Sequence, residues 1–510
     1  MKLAALIALL KKHIVSLHYE GTALSVASLD SPQRYGFLNQ MIKGLSLHSQ
    51  RIEKGFVFFC LSGTTHEGSE FITDAYRKGA IAAVVGDSQA LDAFSESIII
   101  IIVKDVSRCL GTAANAFYDF PLKNINLTAI TGTNGKTTTT YILENILKAC
   151  AMNSGVIGTV NYRIKNNIWP APTTTPDIVT IFDFMKKMRS KKAHFLFMEV
   201  SSHALAQNRI AGLLFDQAIL TNVSQDHFDY HRTKQRYFSA KSLLFKRYLK
   251  KGATAIINYD DCYGRKLLLS MRKNKKIQLL TYGMGRNANV RALNVRLHLE
   301  GSSAIIDAPQ RRFQIETNLI GLFNLYNILA AISVCLVCDI GINAIIKGLC
   351  DVKVPGRLEK VPSQSGISIF VDYAHTPDAL RNVLGTARSL KKQGRLISVF
   401  GCGGDRDKTK RAPMGRIATQ LSDYVILTSD NPRTEDPQEI IADIKQGIQK
   451  NNCCCIVDRK EAIKKAIAIA TNNDIIVVAG KGHENYQIIN KEKKIFSDRC
   501  VIEEILAQKI

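Results

Sequence analysis

The segment that most constrains the fold of this chain is a glycine-containing motif between an apolar run and a helical pattern. Residues 126–139 read NLTAITGTNGKTTT, and the helical pattern continues from Tyr141 to Ala149. Glycines let the backbone turn tightly and aim several N–H groups at one anion, while lysine adds a charge and threonine offers a hydroxyl to Mg²⁺. We therefore predict a strand, a phosphate-binding loop and a helix that together bind ATP. The predicted nucleotide-binding residues of this loop are Gly132, Thr133, Asn134, Gly135, Lys136, Thr137 and Thr138.

The loop differs from the general phosphate-loop pattern at one position. That pattern has a glycine five residues before its second glycine, and this chain has Ile130 there. An ordinary Gly-Thr-Asn turn is the alternative interpretation, but Lys136 and Thr137 open a helical stretch, as a phosphate loop requires. We interpret the segment as a shorter variant of the phosphate loop.

Length and apolar runs predict a globular protein of about three domains. The chain has 510 residues, of which 46% are hydrophobic and 22% charged. Its apolar runs are shorter than the roughly 20 residues that span a bilayer: Ile98–Val103 reads as a buried strand, and Leu3–Leu10 precedes two lysines without a cleavage site. We expect a cytoplasmic protein that does not enter a membrane, and a monomer.

Charge limits the classes of binding partner that we expect, and cysteine spacing indicates the state of the thiols. The chain carries 68 basic and 44 acidic residues, a net charge of +24. Such a charge suits nucleic acid or small anionic substrates, but no basic cluster is interleaved with aromatics and there is one tryptophan. We expect anionic small molecules and no nucleic acid. The twelve cysteines lack paired zinc spacing, so we expect reduced, mostly buried thiols.

Apolar strands and helical patterns alternate along three blocks, residues 1–123, 124–354 and 355–510. Alternation of this kind predicts an α/β fold with parallel sheets, and open sheets bind ligands at the carboxyl ends of their strands. We expect a substrate-binding first block, a central phosphate-loop block and a Rossmann-like third block. The predicted strands are 55–59 and 80–85 in the first block, 195–200, 217–221 and 254–258 in the second, and 367–372, 396–400, 424–428 and 475–479 in the third.

Two polar stretches follow apolar strands of the second block. Glu199 ends the run FLFME, from which a carboxylate reaches a metal held by the phosphate loop. Residues 226–231, DHFDYH, concentrate two histidines and two carboxylates, which favours a metal or phosphate site over ordinary surface. His203, by contrast, is expected to be a structural hydrogen-bonding residue.

Ten short motifs follow one another from the phosphate loop onward. They are TGTNGKTT (131–138), MEVSSHAL (198–205), DHFDYH (226–231), YFSAKSLLF (237–245), GLFNLYN (321–327), PGRLE (355–359), DYAHTPD (372–378), GCGGDRDKTKR (401–411), DNPR (430–433) and GKGHE (480–484). In these residues and in their order the chain resembles the Mur ligase family. The resemblance extends from about Ser49 to the C-terminus.

The resemblance implies an ATP-dependent ligase that forms an amide bond through an acyl phosphate. Its implied substrates are UDP-MurNAc-L-Ala-D-Glu and meso-diaminopimelate, in peptidoglycan synthesis. ATP phosphorylates the D-Glu γ-carboxylate because oxide is a poor leaving group, and the amine then displaces phosphate. Three alternatives stay open: an L-lysine-adding ligase, a folylpolyglutamate synthetase, which lacks a first block for UDP, and a nucleic-acid-binding protein that uses ATP as a switch.

By resemblance the catalytic residues are Lys136, Glu199, His227 and Lys241. Lys136 and Thr137 would hold the β and γ phosphates. Lys241 matches a lysine that CO₂ carbamylates, which turns a cation into an anionic oxygen donor for Mg²⁺. The implied Mg²⁺ ligands are Thr137, Glu199, His227 and the carbamate on Lys241; the implied base and ribose contacts are Asn324, Asp372 and His375.

The substrate contacts are also implied by the resemblance. At the UDP end they are Leu47 and Ser49, although the family's Asp-Ser-Arg is here His48-Ser49-Gln50. Arg433 would recognise the distal carboxylate of diaminopimelate bidentately, which lysine lacks. The implied muramoyl-dipeptide contacts are Thr174, Thr175, Ser201, Gln207 and Arg209, and the implied diaminopimelate contacts are Arg406, Asp430, Asn431, Pro432, Arg433, Gly480 and Glu484.

Overall fold

The computed structural model describes residues 1–24, 36–61, 66–86, 97–363 and 366–508. The chain forms two compact units. The first unit comprises Met1–Leu127, Thr175–Leu196 and Val200–Phe215, and the second comprises Thr128–Thr174, Phe197–Glu199 and Asp216–Ile510. The α-helices are α1 (Leu3–Leu10), α2 (Ile72–Arg77), α3 (Val106–Phe117), α4 (Lys136–Ala149), α5 (Ile178–Ser190), α6 (Ser202–Ala206), α7 (Phe228–His231), α8 (Lys234–Arg247), α9 (Cys262–Met271), α10 (Leu322–Val337), α11 (Ile342–Leu349), α12 (Pro377–Leu390), α13 (Arg411–Leu421), α14 (Pro437–Lys445), α15 (Arg459–Ile469) and α16 (Asp498–Ala507).

The first unit contains a six-stranded sheet. Its strands are β1 (Ile14–Tyr19), β2 (Thr22–Leu24), β3 (Gly44–Ser46), β4 (Phe56–Phe59), β5 (Ala82–Val85) and β6 (Ile99–Val103). Their order is β2-β1-β6-β5-β4-β3, with β3 to β6 parallel and β1 antiparallel to β6. All five residues of β6 are buried, which confirms the predicted buried strand. The apolar run Leu3–Leu10 is a helix that buries Leu3, Leu6 and Leu10.

The second unit begins with an eleven-stranded sheet. Its strands are β7 (Asn126–Thr131), β8 (Ser154–Ile157), β9 (Asn161–Ile164), β10 (Asn167–Pro170), β11 (Phe195–Glu199), β12 (Phe215–Leu220), β13 (Leu249–Asn258), β14 (Gln278–Gly283), β15 (Val290–His298), β16 (Gly301–Ala308) and β17 (Arg311–Thr317). Their order is β10-β9-β8-β11-β7-β12-β13-β14-β15-β16-β17. The predicted parallel pairing holds for β7 with β12 and from β13 to β15. The sheet is mixed, however, because β8 to β10 and β15 to β17 pair antiparallel at its two edges.

A second six-stranded sheet occupies the rest of this unit. Its strands are β18 (Glu359–Val361), β19 (Ser368–Asp372), β20 (Leu396–Phe400), β21 (Tyr424–Leu427), β22 (Cys453–Cys455) and β23 (Ile475–Ala479); β24 (Tyr486–Ile489) and β25 (Glu492–Ile495) form a separate hairpin. The order is β18-β19-β23-β20-β21-β22, parallel except for β18. Two apolar cores pack against it, one containing Phe370 and Leu427 and the other Ile369 and Val478. The expected α/β fold is confirmed.

Two predictions from composition have different outcomes. All twelve cysteines are free thiols, as expected. The expectation that most are buried is wrong, because only Cys60, Cys109, Cys335 and Cys402 are. The others lie at helix ends or on the edge strand β22, where a small apolar side chain is tolerated near solvent. Among the described residues, no helix combines the length and apolar character needed to cross a bilayer.

Candidate active site

The predicted phosphate loop joins strand β7 to helix α4, as the sequence indicates. Gly135 caps the helix with φ 89°, in the left-handed region that glycine adopts without strain. A Cβ on Gly135 would collide with the amide oxygen of Asn327, and one on Gly132 would collide with the hydroxyl of Thr221. The backbone therefore passes these neighbours at a distance that only glycine permits. The first N–H groups of a helix have no intrahelical acceptor, so the start of α4 has the chemistry to bind an anion.

Two lysines converge on one carbonyl of this loop. Lys136 Nζ donates to the carbonyls of Gly132 at 2.9 Å and Thr133 at 2.8 Å. Lys241 Nζ, from α8, donates to the same Gly132 carbonyl at 2.8 Å and is 2% exposed. Burial lowers the pKa of Lys136, and burial together with the charge of Lys136 lowers the pKa of Lys241 well below its ordinary value. Two amines thus share a carbonyl in a setting that disfavours their positive charge.

Glu199 lies at the end of β11, beside the start of α4. Its carboxylate accepts hydrogen bonds from Thr137 Oγ1 at 3.1 Å and from Thr159 Oγ1 at 2.9 Å and N at 3.0 Å. Thr159 is in turn 3.1 Å from the hydroxyl of Thr174. The structure therefore brings Thr137 and Glu199, two predicted metal ligands, into contact through oxygen atoms, the donors that Mg²⁺ prefers.

The DHFDYH segment divides its polar residues between two environments. His227 has φ 55° and lies 3.3 Å from the carboxylate of Asp226 through Nε2. His231 is instead buried, with its ring 5.3 Å from that of Tyr237. Tyr237, in α8, accepts a hydrogen bond at its OH from Thr133 Oγ1 at 3.3 Å, so the ring next to His231 also contacts the phosphate loop. In the described parts of the chain, no group of three or more His, Cys, Asp or Glu side chains forms a metal-binding cluster.

Two residues of the third block contact the phosphate loop, and the sequence motifs gave neither a role. Arg357 Nη2 donates to Thr137 Oγ1 at 3.4 Å, and Asp378 Oδ2 accepts from Asn134 Nδ2 at 2.9 Å. Arg357 follows Gly356 in PGRLE, and Asp378 lies in the first turn of α12. Membership of the quoted motifs was the only sequence signal for either residue. The loop therefore receives a cation and a carboxylate from a distant part of the chain.

Of the residues predicted to flank the base and ribose, Asn324 and Asp372 are buried and His375 is half-buried, and all three are hydrogen-bonded. Asn324 Nδ2 donates to the Ile320 carbonyl at 2.9 Å, and its Oδ1 accepts from Asn327 at 3.2 Å. Asp372 accepts the Leu358 N–H at 2.6 Å, and burial raises its pKa to about 6. His375 donates from Nδ1 to the Tyr373 carbonyl at 2.8 Å, and burial lowers its pKa. The sequence interpretation gave Asn327 no role, although its amide oxygen packs so closely against Gly135 that a Cβ there would collide with it.

The predicted diaminopimelate residues gather at the carboxyl ends of β20, β21 and β23. Asn431 Nδ2 donates to Glu484 Oε2 at 2.8 Å, and the buried Lys481 donates to both residues at 3.1 and 3.2 Å. Arg433 has φ 53° and donates from Nη1 to the Gly404 carbonyl at 2.7 Å. Its pKa is lowered by burial and then by the charge of Arg406. The remaining members are the exposed Arg406, the buried Asp430 and Pro432, and Gly480, where a Cβ would collide with Asp430.

A buried ion pair fixes the neighbouring loop 403–411. Arg411 binds both oxygens of Glu435 at 2.9 Å and one oxygen of Asp443 at 2.8 Å. Hydrogen bonds from Arg411 lower the pKa of Glu435 to about 2. Arg459, likewise buried, pairs with Asp498 at 2.7 and 2.8 Å. These arginines form the scaffold behind the predicted amino-acid site.

The first unit holds the other predicted substrate residues. Thr175 Oγ1 accepts from Ser201 N at 3.0 Å, and Ser201 caps α6 by accepting from Ala204 N at 3.2 Å. Arg209 donates to Gln207 Oε1 at 2.8 Å and to the Thr175 carbonyl at 3.4 Å. Thr175, Ser201, Gln207 and Arg209 therefore form one polar cluster. Apart from that cluster, Leu47 is half-buried after β3, and Ser49 is buried and hydrogen-bonded to Asp74.

Comparison with known proteins agrees with this geometry. Three family models match in succession: the catalytic domain of the Mur ligase family at residues 41–118, the Mur ligase middle domain at 130–335, and the Mur ligase glutamate ligase domain at 356–482. A relative from Aquifex aeolicus (strain VF5), named "UDP-N-acetylmuramoyl-L-alanyl-D-glutamate--2,6-diaminopimelate ligase", is 43% identical over 471 residues, which cover 92% of this chain and 95% of the relative.

Another relative and a solved structure carry the same name. The relative, from Clostridium botulinum (strain ATCC 19397 / Type A), is 40% identical and covers 93% of this chain, with 98% of its own length matched. The solved structure has a TM-score of 0.67 at 33% identity and covers 92% of this chain and 96% of its own. Family models, sequence relatives and fold therefore agree over nearly the whole length. The chain belongs to the Mur ligase family.

Proposed function

We propose that this chain uses ATP to join the amine of meso-diaminopimelate to the D-Glu γ-carboxyl group of UDP-MurNAc-L-Ala-D-Glu. The ATP γ-phosphoryl group passes to the carboxylate, and the amine then attacks the acyl phosphate and expels inorganic phosphate. The observation that carries the proposal is the phosphate loop, on which Lys136, Lys241 and the Thr137–Glu199 pair converge. Relatives at 40 to 43% identity that are named for this reaction support it.

The loop residues have the chemistry to bind the phosphates of a nucleoside triphosphate. Lys136 now donates to two carbonyls of its own loop, and phosphate oxygens would replace these acceptors. Thr137 and Glu199 offer a hydroxyl and a carboxylate to Mg²⁺, and His227 offers a ring nitrogen. Bound Mg²⁺ would neutralise the negative charge that builds on the transferring phosphoryl group. Asn324, Asp372 and His375 would orient the nucleoside, leaving Lys136 to face the β and γ phosphates.

Lys241 fits carbamylation by CO₂. The reaction needs a neutral amine, and burial beside Lys136 lowers the pKa of Lys241 in the required direction. In the carbamate, the Nζ–carbon bond replaces one N–H bond, and the released proton leaves an anionic carboxylate. That anion would compensate the positive charge of Lys136 and supply oxygen ligands to Mg²⁺. We propose this modification as the state of the working enzyme.

Recognition of the third amino acid is proposed to depend on Arg433. The guanidinium of Arg433 is half-buried, and burial together with the charge of Arg406 lowers its pKa. A carboxylate bound between them would relieve this repulsion, and diaminopimelate carries such a group at its far end. Lysine does not, so its binding would leave the guanidinium desolvated and unpaired.

A ligation assay with an amino-acid panel tests the proposal. Wild-type protein should consume ATP when UDP-MurNAc-L-Ala-D-Glu and meso-diaminopimelate are both present, and should prefer meso-diaminopimelate over L-lysine by about two decades in kcat/KM. Arg433→Ala should lose most of that preference, whereas the exposed Arg416→Ala should keep it. Equal use of lysine by the wild type, or full preference in Arg433→Ala, would contradict the assignment.

The proposal also covers the UDP-muramoyl part of the substrate, the domain boundaries, and the location and partners of the protein. Leu47 and Ser49 would bind the uridine end, and Thr174, Thr175, Ser201, Gln207 and Arg209 the muramoyl dipeptide; the polar cluster around Thr175 supports this. We further propose domain boundaries at residues 123/124 and 354/355, a cytoplasmic monomer, and no nucleic-acid partner. Salt-dependent RNA binding at micromolar affinity would contradict the last point.

A further inference from the structure

Tyr373 lies at the centre of a group of packed side chains, one of which, Arg357, contacts the phosphate loop. It follows strand β19 in the DYAHTPD motif. The Cζ atom of Arg357 lies over its ring, 4.4 Å from the centroid. The rings of His375 and His483 are 4.7 and 5.0 Å away. A guanidinium over the face of a tyrosine is attracted by the negative face of the ring.

Arg357 needs such a support because its hydrogen bonds to the described residues are long or go to its own chain neighbour. Its Nη1 donates to the neighbouring Gly356 carbonyl at 3.1 Å and lies 3.5 Å from His483 Nδ1, and its Nη2 lies 3.4 Å from Thr137 Oγ1. An arginine side chain loses considerable rotamer freedom when it is held in one place. A Cβ on Gly482 would lie only 2.7 Å from Tyr373 Cβ, so the Gly482 backbone packs closely against the base of this side chain. The guanidinium of Arg357 lies over the ring that this packed base carries.

We infer that Tyr373 is a positioning residue that holds the Arg357 guanidinium beside Thr137, where it meets the terminal phosphates of ATP. The inference rests on the proposed function, because ATP is the anion in question. The interaction uses the face of the ring and not the hydroxyl group. Phenylalanine should therefore replace tyrosine at this position, while an aliphatic side chain of similar bulk should not.

The test compares Tyr373→Leu with Tyr373→Phe, and both with Arg357→Met. Binding of a non-hydrolysable ATP analogue is measured by calorimetry, and kcat and KM by the ligation assay. Tyr373→Leu should weaken analogue binding about tenfold and lower kcat/KM for ATP similarly, with KM for meso-diaminopimelate unchanged. Tyr373→Phe should stay within about twofold of wild type. Tyr373→Leu should add little to Arg357→Met, because the ring acts through Arg357.

Several results would overturn the inference. They are normal analogue binding by a folded Tyr373→Leu protein, equal losses in the Leu and Phe variants, or losses of Tyr373→Leu and Arg357→Met that simply add. If Tyr373→Leu does not fold, Tyr373→Met gives the same comparison with a flexible side chain of similar volume. A wild type that binds no analogue overturns the proposed function as well, whereas a wild type that binds it normally confines any failure to Tyr373.

Discussion

The phosphate loop and the loops of the C-terminal sheet hold their inward-facing cations differently. Beside the phosphate loop, Lys136 and Lys241 donate to the uncharged Gly132 carbonyl. At the C-terminal sheet, Arg459 is paired with Asp498 through two hydrogen bonds. Burial lowers the pKa of both lysines, whereas the carboxylate of Asp498 raises that of Arg459 despite its burial.

This difference distinguishes the proposed phosphate site from the ion pairs that support the fold around the proposed amino-acid site. A desolvated charge is costly unless an opposite charge compensates it. Arg459 and Arg411 carry their compensation within the fold. Within the described residues, neither lysine forms an ion pair: both donate to the Gly132 carbonyl, and Lys241 lies 4.3 Å from the centroid of the Tyr237 ring. We therefore propose that an anion from outside the chain compensates them. Phosphate oxygens would do so for Lys136, and carbamylation would convert Lys241 itself into the anion.

The largest effect is expected for Lys136→Ala. Removing the charge that faces the β and γ phosphates should lower kcat on the order of a thousandfold. Thermal stability should change little, because among the described residues Lys136 pairs with no carboxylate and bonds only to two carbonyls of its own loop. Turnover and unfolding temperature are measured on the same preparation, with Lys148→Ala, an exposed lysine on the same helix, as control. A folded Lys136→Ala protein with near-normal ligation would refute the phosphate-loop assignment.

The second-largest effect is expected for Lys241→Ala. Its ligation activity should fall on the order of a hundredfold, and small carboxylates should partly restore it. Acetate or formate would occupy the space of the carbamate and supply its oxygen atoms to the metal. Activity is measured against carboxylate concentration, with Lys246→Ala, exposed on the same helix, as a control that needs no rescue. Absence of rescue, or mass spectrometry and crystallography showing a bare amine in the ATP complex, would count against the carbamate.

Long apolar strands that are buried on both faces could be predicted from sequence, whereas the short buried strand β8, which contains Ser154 and Gly155, was not. Strands β20 and β23 match their predicted bounds residue for residue, because nearly every side chain is apolar and the flanking residues are not. The antiparallel strands β15 to β17 were not predicted. They alternate buried with exposed residues and carry arginines on the open face, a pattern weaker than a continuous apolar run.

The candidate site was predictable where its residues are local in sequence or, like Glu199, lie at the end of an apolar strand. Gly132 to Thr137 form one loop, so their composition alone indicates a phosphate site. Arg357 and Asp378 contact that loop from 220 and 244 residues away, and spacing along the chain carries no information about such contacts. The same holds for Lys481, whose burial between Asn431 and Glu484 emerges only from the fold.

The smallest effect is expected for the Arg411–Glu435 ion pair, which should make the free energy of unfolding depend on pH. Hydrogen bonds from Arg411 lower the pKa of Glu435 from its ordinary 4.5 to about 2 in the folded protein. A carboxyl group with a depressed folded pKa stabilises the fold above its unfolded pKa, and this contribution is lost as the pH falls from about 4.5 towards 2. After allowance for partial exposure, we expect about 2 kcal/mol at neutral pH.

The free energy of unfolding of Glu435→Gln should therefore be about 2 kcal/mol lower than that of wild type at pH 7. This difference in unfolding free energy, the gap, should narrow as the pH falls below about 4.5. Urea unfolding at a series of pH values measures it, with the exposed Glu492→Gln as a control that should show a much smaller gap. Arg411 keeps Asp443 in the variant, so the loop should stay folded and ligation at neutral pH should change little. A gap that is independent of pH would show that Glu435 supports the loop by packing and hydrogen bonding alone. A gap that follows the expected curve would place Arg411 and Glu435 with the internally compensated charges, in contrast to Lys136 and Lys241.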